Sequence, residues 1–115
     1  MNIVLVHGIL GFREKFKIEY FRGVAEHFQE KGLTVFAPTL DPTRGIEFRG
    51  GQLRDQINST FGSGKLDPAA KTHIIAHSMG GLDSRWMLSP ANPKRIQIAI
   101  RSLMTISTPH QGSPI

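Results

Sequence analysis

Apolar residues fall into two alternating rhythms along this chain. From Asn2 to Val6 the chain makes a short run, apolar from Ile3 on and rich in β-branched residues, which predicts a central strand covered on both faces. Beyond it Ile18, Phe21, Val24, Ala25 and Phe28 recur every three or four positions, with Arg22, Glu26, Gln29 and Glu30 between them, the pattern of an amphipathic helix. Gly32 stops that helix as its C′ residue, and Leu33 to Ala37 reads as the next strand, closed by Pro38. Asp41-Pro42-Thr43-Arg44-Gly45 is turn chemistry. A second helix is predicted from about Glu47 to Phe61, with Phe48, Leu53, Ile57 and Phe61 on its inner side. The polar loop from Gly62 to Pro68 returns to a third strand around Ile74, Ile75 and Ala76, an apolar run expected to be covered on both faces. A third helix runs from Leu82 to Leu88 and ends at Pro90 to Pro93. Arg101 to Ser107 is a fourth strand, followed by an irregular tail from Thr108 to Pro114.

Strands alternating with helices imply right-handed crossovers and a parallel sheet with helices on both faces, an α/β fold in a single domain spanning 1–115. In such sheets ligands gather outside the carboxyl ends of the strands. Two chemically suggestive segments leave strands at those ends. One is His7-Gly8-Ile9-Leu10-Gly11-Phe12, whose glycines let backbone amides turn toward a ligand. The other is Ala76-His77-Ser78-Met79-Gly80-Gly81, a strand-to-helix junction carrying Ala-x-Ser-x-Gly. A serine pushed out on so sharp a turn needs small residues two before and two after it, and Ala76 and Gly80 meet that demand.

Composition narrows the class without changing this picture. A hydrophobic content of 39% with 20% charged residues is ordinary for a globular chain of 115 residues. No apolar run approaches membrane-spanning length. The opening lacks a basic region and a small-residue cleavage site, which reads as no signal peptide and points to the cytoplasm. With no cysteine there is no disulfide, zinc-thiolate site or cysteine nucleophile, and no other metal or cofactor constellation is visible. A net charge of +5 and a pI near 10.1 raise the question of nucleic acid. The cations are scattered, with no basic run and no basic-aromatic alternation, so the charge reads as a solvated surface and not a nucleic-acid site.

These two segments, together with Thr108-Pro109-His110-Gln111-Gly112-Ser113, resemble the bacterial lipase and esterase branch of the α/β-hydrolase family, in the family's order and over almost the whole chain. The resemblance implies Ser78 as nucleophile on carboxylic esters of lipids or related acyl esters. It implies an oxyanion hole made by the backbone amides of Ile9 and Met79, with His7, Gly8, Ala76, His77, Gly80 and Gly81 as supporting residues. Read from the residues alone, His7, His73 and His77 are structural, His27 is solvated, and Asp83 is a helix-surface or crevice-wall carboxylate.

A serine hydroxyl needs a general base, itself oriented by a carboxylate. In the family both follow the nucleophile on later loops, in the order acid then histidine. Here His110 is the only histidine downstream, and it matches the family's Pro-His-x-Gly-Ser loop instead of the base. The expected fold therefore lacks the later strands, leaving Leu103-Met104-Thr105-Ile106 as an exposed edge. Two accounts follow: the 115 residues are the amino-terminal half of a longer hydrolase, or self-association or a partner covers the edge near 101–107. Two functions stay open accordingly, a lipase-like serine hydrolase and a catalytically incomplete remnant that binds an acyl ligand or protein partner. Lipase, esterase, thioesterase and acyltransferase share the same serine turn and are not separated by it.

Overall fold

Among the described residues four strands and three helices alternate: β1 (Asn2–His7), α1 (Glu14–Glu30), β2 (Thr34–Phe36), α2 (Ile46–Gly62), β3 (Thr72–His77), α3 (Met79–Leu88) and β4 (Ile100–Ile106). The computed structural model describes residues 1–7, 14–41, 43–94, 96 and 99–106, and for residues 14–21 it describes the backbone. All strand pairs are parallel and the order is β2-β1-β3-β4. From β1 the chain steps outward to β2, then crosses back over β1 to β3 and continues to β4. The sheet direction therefore reverses between β1 and β3, the place where open α/β sheets form their ligand crevice.

That reversal also decides where the helices lie. A right-handed crossover toward β2 and one back toward β3 must pass on opposite faces. On one face Ile3 and Leu5 pack against Val24, Ala25 and Phe28 of α1, with Leu33, Val35 and Ile75 around them. On the other, Val4, Val6, Ile74 and Ala76 meet Leu53 and Ile57 of α2, Met87 of α3 and Leu66 of the preceding loop. The period-two alternation of β1 thus feeds two separate cores. Gly32 ends α1 at φ +83°, and the Leu33 N–H returns to the Phe28 carbonyl as a helix-closing bond.

Three expectations are corrected. Phe48 does not face inward on α2; it is 42% exposed, with the Arg44 guanidinium 3.8 Å above its ring. Leu53 and Ile57 lie inward as expected with Phe61 packed half-buried against them, and Arg49, Gly50 and Thr60 complete the buried stripe. Phe48 is five positions from Leu53, about 140° around the helix, which takes it off that stripe. Second, β3 is not covered alike on its two faces: Ile74 and Ala76 are fully buried, whereas His73, Ile75 and His77 are half-buried, because α1 packs over β1 and β2. Third, Asp83 is 1% exposed and not a surface or crevice-wall carboxylate. The predicted edge is as expected: among the described residues β4 pairs only with β3, and Met104 and Ile106 are exposed. Ser107 and the tail after it lie outside the described residues.

Truncation should separate the two readings of α2. Ile57→Ala is expected to cost about 2–5 kcal/mol in urea unfolding, and Phe48→Ala less than about 1 kcal/mol. Equal losses from the two variants would contradict the inner stripe described above.

Candidate active site

The junction between β3 and α3 is built around one backbone anomaly. Ser78 adopts φ 55° and ψ −128°, and among the described residues it is the one non-glycine position with positive φ. An L-residue held there costs about 1–3 kcal/mol and persists only where its surroundings over-determine it. Here they do so from both sides. The Ser78 N–H donates to the Ile106 carbonyl of β4 at 2.9 Å, extending the β3–β4 ladder one residue past the strand. Its carbonyl accepts from the Gly81 N–H at 3.1 Å, closing the first turn of α3. The Ser84 hydroxyl donates to the Gly80 carbonyl at 2.8 Å within the same helix.

Glycine at position 80 is a steric necessity. A Cβ there would stand 2.7 Å from the Val6 carbonyl oxygen and 2.9 Å from a Val6 methyl, so the start of α3 lies directly against the end of β1. A second close approach holds the other side of the helix. A Cβ at Gly50 would meet the Trp86 ring at 2.7 Å and the Asp83 carbonyl at 3.1 Å, so α2 and α3 touch backbone to side chain at that point.

Beside that contact lies a charged pair that sequence reading did not find. The Arg49 Nε–H donates to both Asp83 carboxylate oxygens, at 3.0 and 3.1 Å, and an Nη1–H donates to the Arg44 carbonyl. The two side chains are 8% and 1% exposed. Burial pushes the Asp83 carboxyl up to about 6, against the opposing pull of the Arg49 charge and its hydrogen bonds. The signal that could have revealed the pair is the 34-residue link between two inner-face positions; nothing in a single helix's periodicity carries it. Nearby, Gln52 and Gln56 accept the Asp41 and Thr39 N–H groups at 2.8 and 2.9 Å, clipping the segment after β2 onto α2. Thr43, through backbone and side-chain hydrogen bonds, holds the Asp41 carboxyl below its usual range.

Several of the residues singled out from sequence come together here. His7 and His77 are register partners at the carboxyl ends of β1 and β3, and both are half-buried. Ser78 and Met79 follow directly, half-buried, with Ala76, Gly80 and Gly81 buried beneath. Gly8, Ile9 and His110 lie outside the described residues. His73 sits elsewhere, at the start of β3, bonded through Nδ1 to the Ser102 hydroxyl of β4 at 2.6 Å. His27 is exposed on α1.

Residues 2–115 match the family described as "Putative serine esterase (DUF676)". Triacylglycerol lipase 2 of Saccharomyces cerevisiae is 41% identical over 100 residues, covering 84% of this chain and 29% of the yeast protein. A triacylglycerol lipase of Pseudomonas fragi is 33% identical over 113 residues, covering 98% of this chain and 36% of that enzyme. The chain thus spans about a third of the length of these relatives. In three dimensions it is similar to an acetyl xylan esterase, with a TM-score of 0.56 at 14% identity over 94% of this chain and 63% of that one, a likeness of fold.

The buried carboxyl makes a prediction with a definite sign. Between pH 3.8 and about 6 the folded chain keeps a proton on Asp83 that the unfolded chain has released. The contribution of this group to stability therefore falls as pH rises through that window. The stability of the parent chain minus that of Asp83→Asn, followed by urea midpoints from pH 4 to 7, should decline with pH; a flat difference would show that Asp83 is not raised.

Proposed function

Because the chain belongs to this serine esterase family, an α/β-hydrolase-like lipase and esterase group, we propose that Ser78 is a nucleophile that acts on carboxylic esters of lipids or related acyl compounds. The observation that carries the reading is the strained backbone of Ser78 at the carboxyl end of a central strand, held by ladder and helix and backed by a glycine against β1. That geometry lifts the hydroxyl out of the sheet at the crevice where the strand order reverses.

In the proposed reaction the Ser78 Oγ attacks the ester carbonyl, giving up its proton to a base. The tetrahedral oxyanion is received by backbone N–H groups of Met79 and Ile9. Met79 is the first residue of α3, a position whose N–H no intrahelical carbonyl can accept, so it is available to an incoming oxygen. One such donor lowers the barrier by about 2.7–4 kcal/mol in enzymes of this type. Collapse expels the alcohol, which takes the proton, and water then releases the acid from the acyl-serine by the same steps in reverse. The family order puts the carboxylate and histidine that complete the triad after the serine strand, and we assign both to sequence beyond the 115 residues. The relatives named as triacylglycerol lipases favour triacylglycerols among the possible ester substrates.

The exposed β4 edge favours a second reading, a catalytically incomplete hydrolase remnant that binds an acyl ligand or a protein partner. A fluorophosphonate probe separates the two, since a serine on the strained turn beside an oxyanion hole is phosphonylated, slowly, even without the base. Mass spectrometry of the labelled chain should place the adduct on Ser78, and Ser78→Ala should carry none. Turnover of a p-nitrophenyl acyl ester by the 115 residues alone should be slow, for want of the base. Absence of any adduct on the parent chain would favour the binding remnant, and rapid turnover lost in Ser78→Ala would overturn the assignment of the base to sequence beyond these residues.

A further inference from the structure

We propose that Arg49 is a positioning residue for Ser78: through its buried pair with Asp83 and its bond to the Arg44 carbonyl, it holds α3 at the offset from α2 at which the turn at Ser78 closes. This rests on the reading of Ser78 as the nucleophile.

The two glycine contacts limit how close α3 can come to its neighbours, Gly80 toward β1 and Gly50 toward α2. Contacts of that kind act as stops. They do not set the position of the helix along its own axis, because apolar and small-residue surfaces tolerate sliding. The Arg49–Asp83 pair does set it. A guanidinium N–H shared between two carboxylate oxygens has a preferred distance and direction, and the same guanidinium is braced by the Arg44 carbonyl just ahead of α2. The segment after β2, α2 and the serine helix are thereby referred to one planar group.

Stability gives the pair little reason to exist. A buried ion pair is often matched or bettered by apolar side chains of similar volume. The raised carboxyl shows that desolvation of Asp83 outweighs what Arg49 returns. The distance to the chemistry is short: Asp83 is five residues after Ser78 on a continuous helix, about 7.5 Å along its axis. A displacement of α3 at Asp83 is therefore delivered almost undiminished to the turn. Misplacing a reacting group by about 1 Å can cost about a hundredfold in rate.

The test compares the parent chain with the double variant Arg49→Met/Asp83→Leu, which replaces the pair by apolar groups. Three quantities are read: the urea midpoint, the second-order rate of fluorophosphonate labelling, and hydrogen exchange of the Ser78 and Gly81 amides, whose acceptors are Ile106 and Ser78. The expected result is a midpoint equal to or above that of the parent, with labelling slowed about tenfold or more. Protection of the two amides should fall while the amides of Val4 and Val6 in β1 keep theirs. A double variant with the parent's labelling rate and the parent's protection at Ser78 and Gly81 would falsify the proposal. If the parent itself takes no label, the nucleophile reading fails, and the two amides still decide the positioning role by the same comparison. Should the double variant not fold, Arg49→Lys, which keeps the charge and loses the planar fork, is read in the same way.

Discussion

Everything at the candidate site depends on the close approach of α3 to β1. The start of the helix can lie against the Val6 carbonyl only because residue 80 has no side chain. With that approach made, the link between β3 and α3 has no room for a gradual turn, and Ser78 must absorb the change of direction in a single residue. Its dihedral angles are the geometrical consequence. The cost, about 1–3 kcal/mol, is borne by the hydrogen bonds on either side and by the packing of Ala76 and Met87 into the same core. Strain at the serine and close packing below it are two descriptions of one constraint.

The Arg49–Asp83 pair belongs to the same construction, although its physics differs. Apolar packing of Leu53, Ile57 and Met87 supplies most of what holds α2 and α3 to the sheet. It is non-directional, and a helix held by it alone has several nearly equivalent positions. A buried charged hydrogen bond chooses among them at the expense of desolvation. Breaking one partner would leave a charge buried and uncompensated, at about 3–5 kcal/mol, so the pair is costly both to make and to break. Such an interaction narrows the native state more than it deepens it.

Much of this was legible in the sequence, for reasons that can be named. The strands announced themselves because Ile3 to Val6 and Ile74 to Ala76 are short apolar runs, and α1 because its spacing changes to three and four. Ser78 was legible because the steric demand of its turn is written in residues 76 and 80. What escaped was whatever depends on two distant elements at once. Phe48 was assigned inward by its hydrophobicity, but its angle on the helix and the Arg44 guanidinium over its ring place it outside. Asp83, five residues after the serine on the following helix, reads as a helix-surface or crevice-wall carboxylate; unpaired carboxylates are rarely buried, and its burial becomes intelligible only with Arg49, from another helix, beside it. The rule was sound and its exception was paired.

The uneven cover of the sheet bears on the serine as well. After the register shift at its start, β4 turns Ser102, Met104 and Ile106 to the face of His73, Ile75 and His77, the face that α1 leaves partly open. Met104 is 60% exposed there. The carbonyl that receives the Ser78 N–H belongs to Ile106, the last residue of this same strand. An edge strand has one ladder to hold it and opens more readily than a central one. One of the two bonds that stabilise the strained turn is therefore only as durable as an edge strand of the sheet. Any contact that orders β4 in the folded state is linked, through that single bond, to the conformation of the serine.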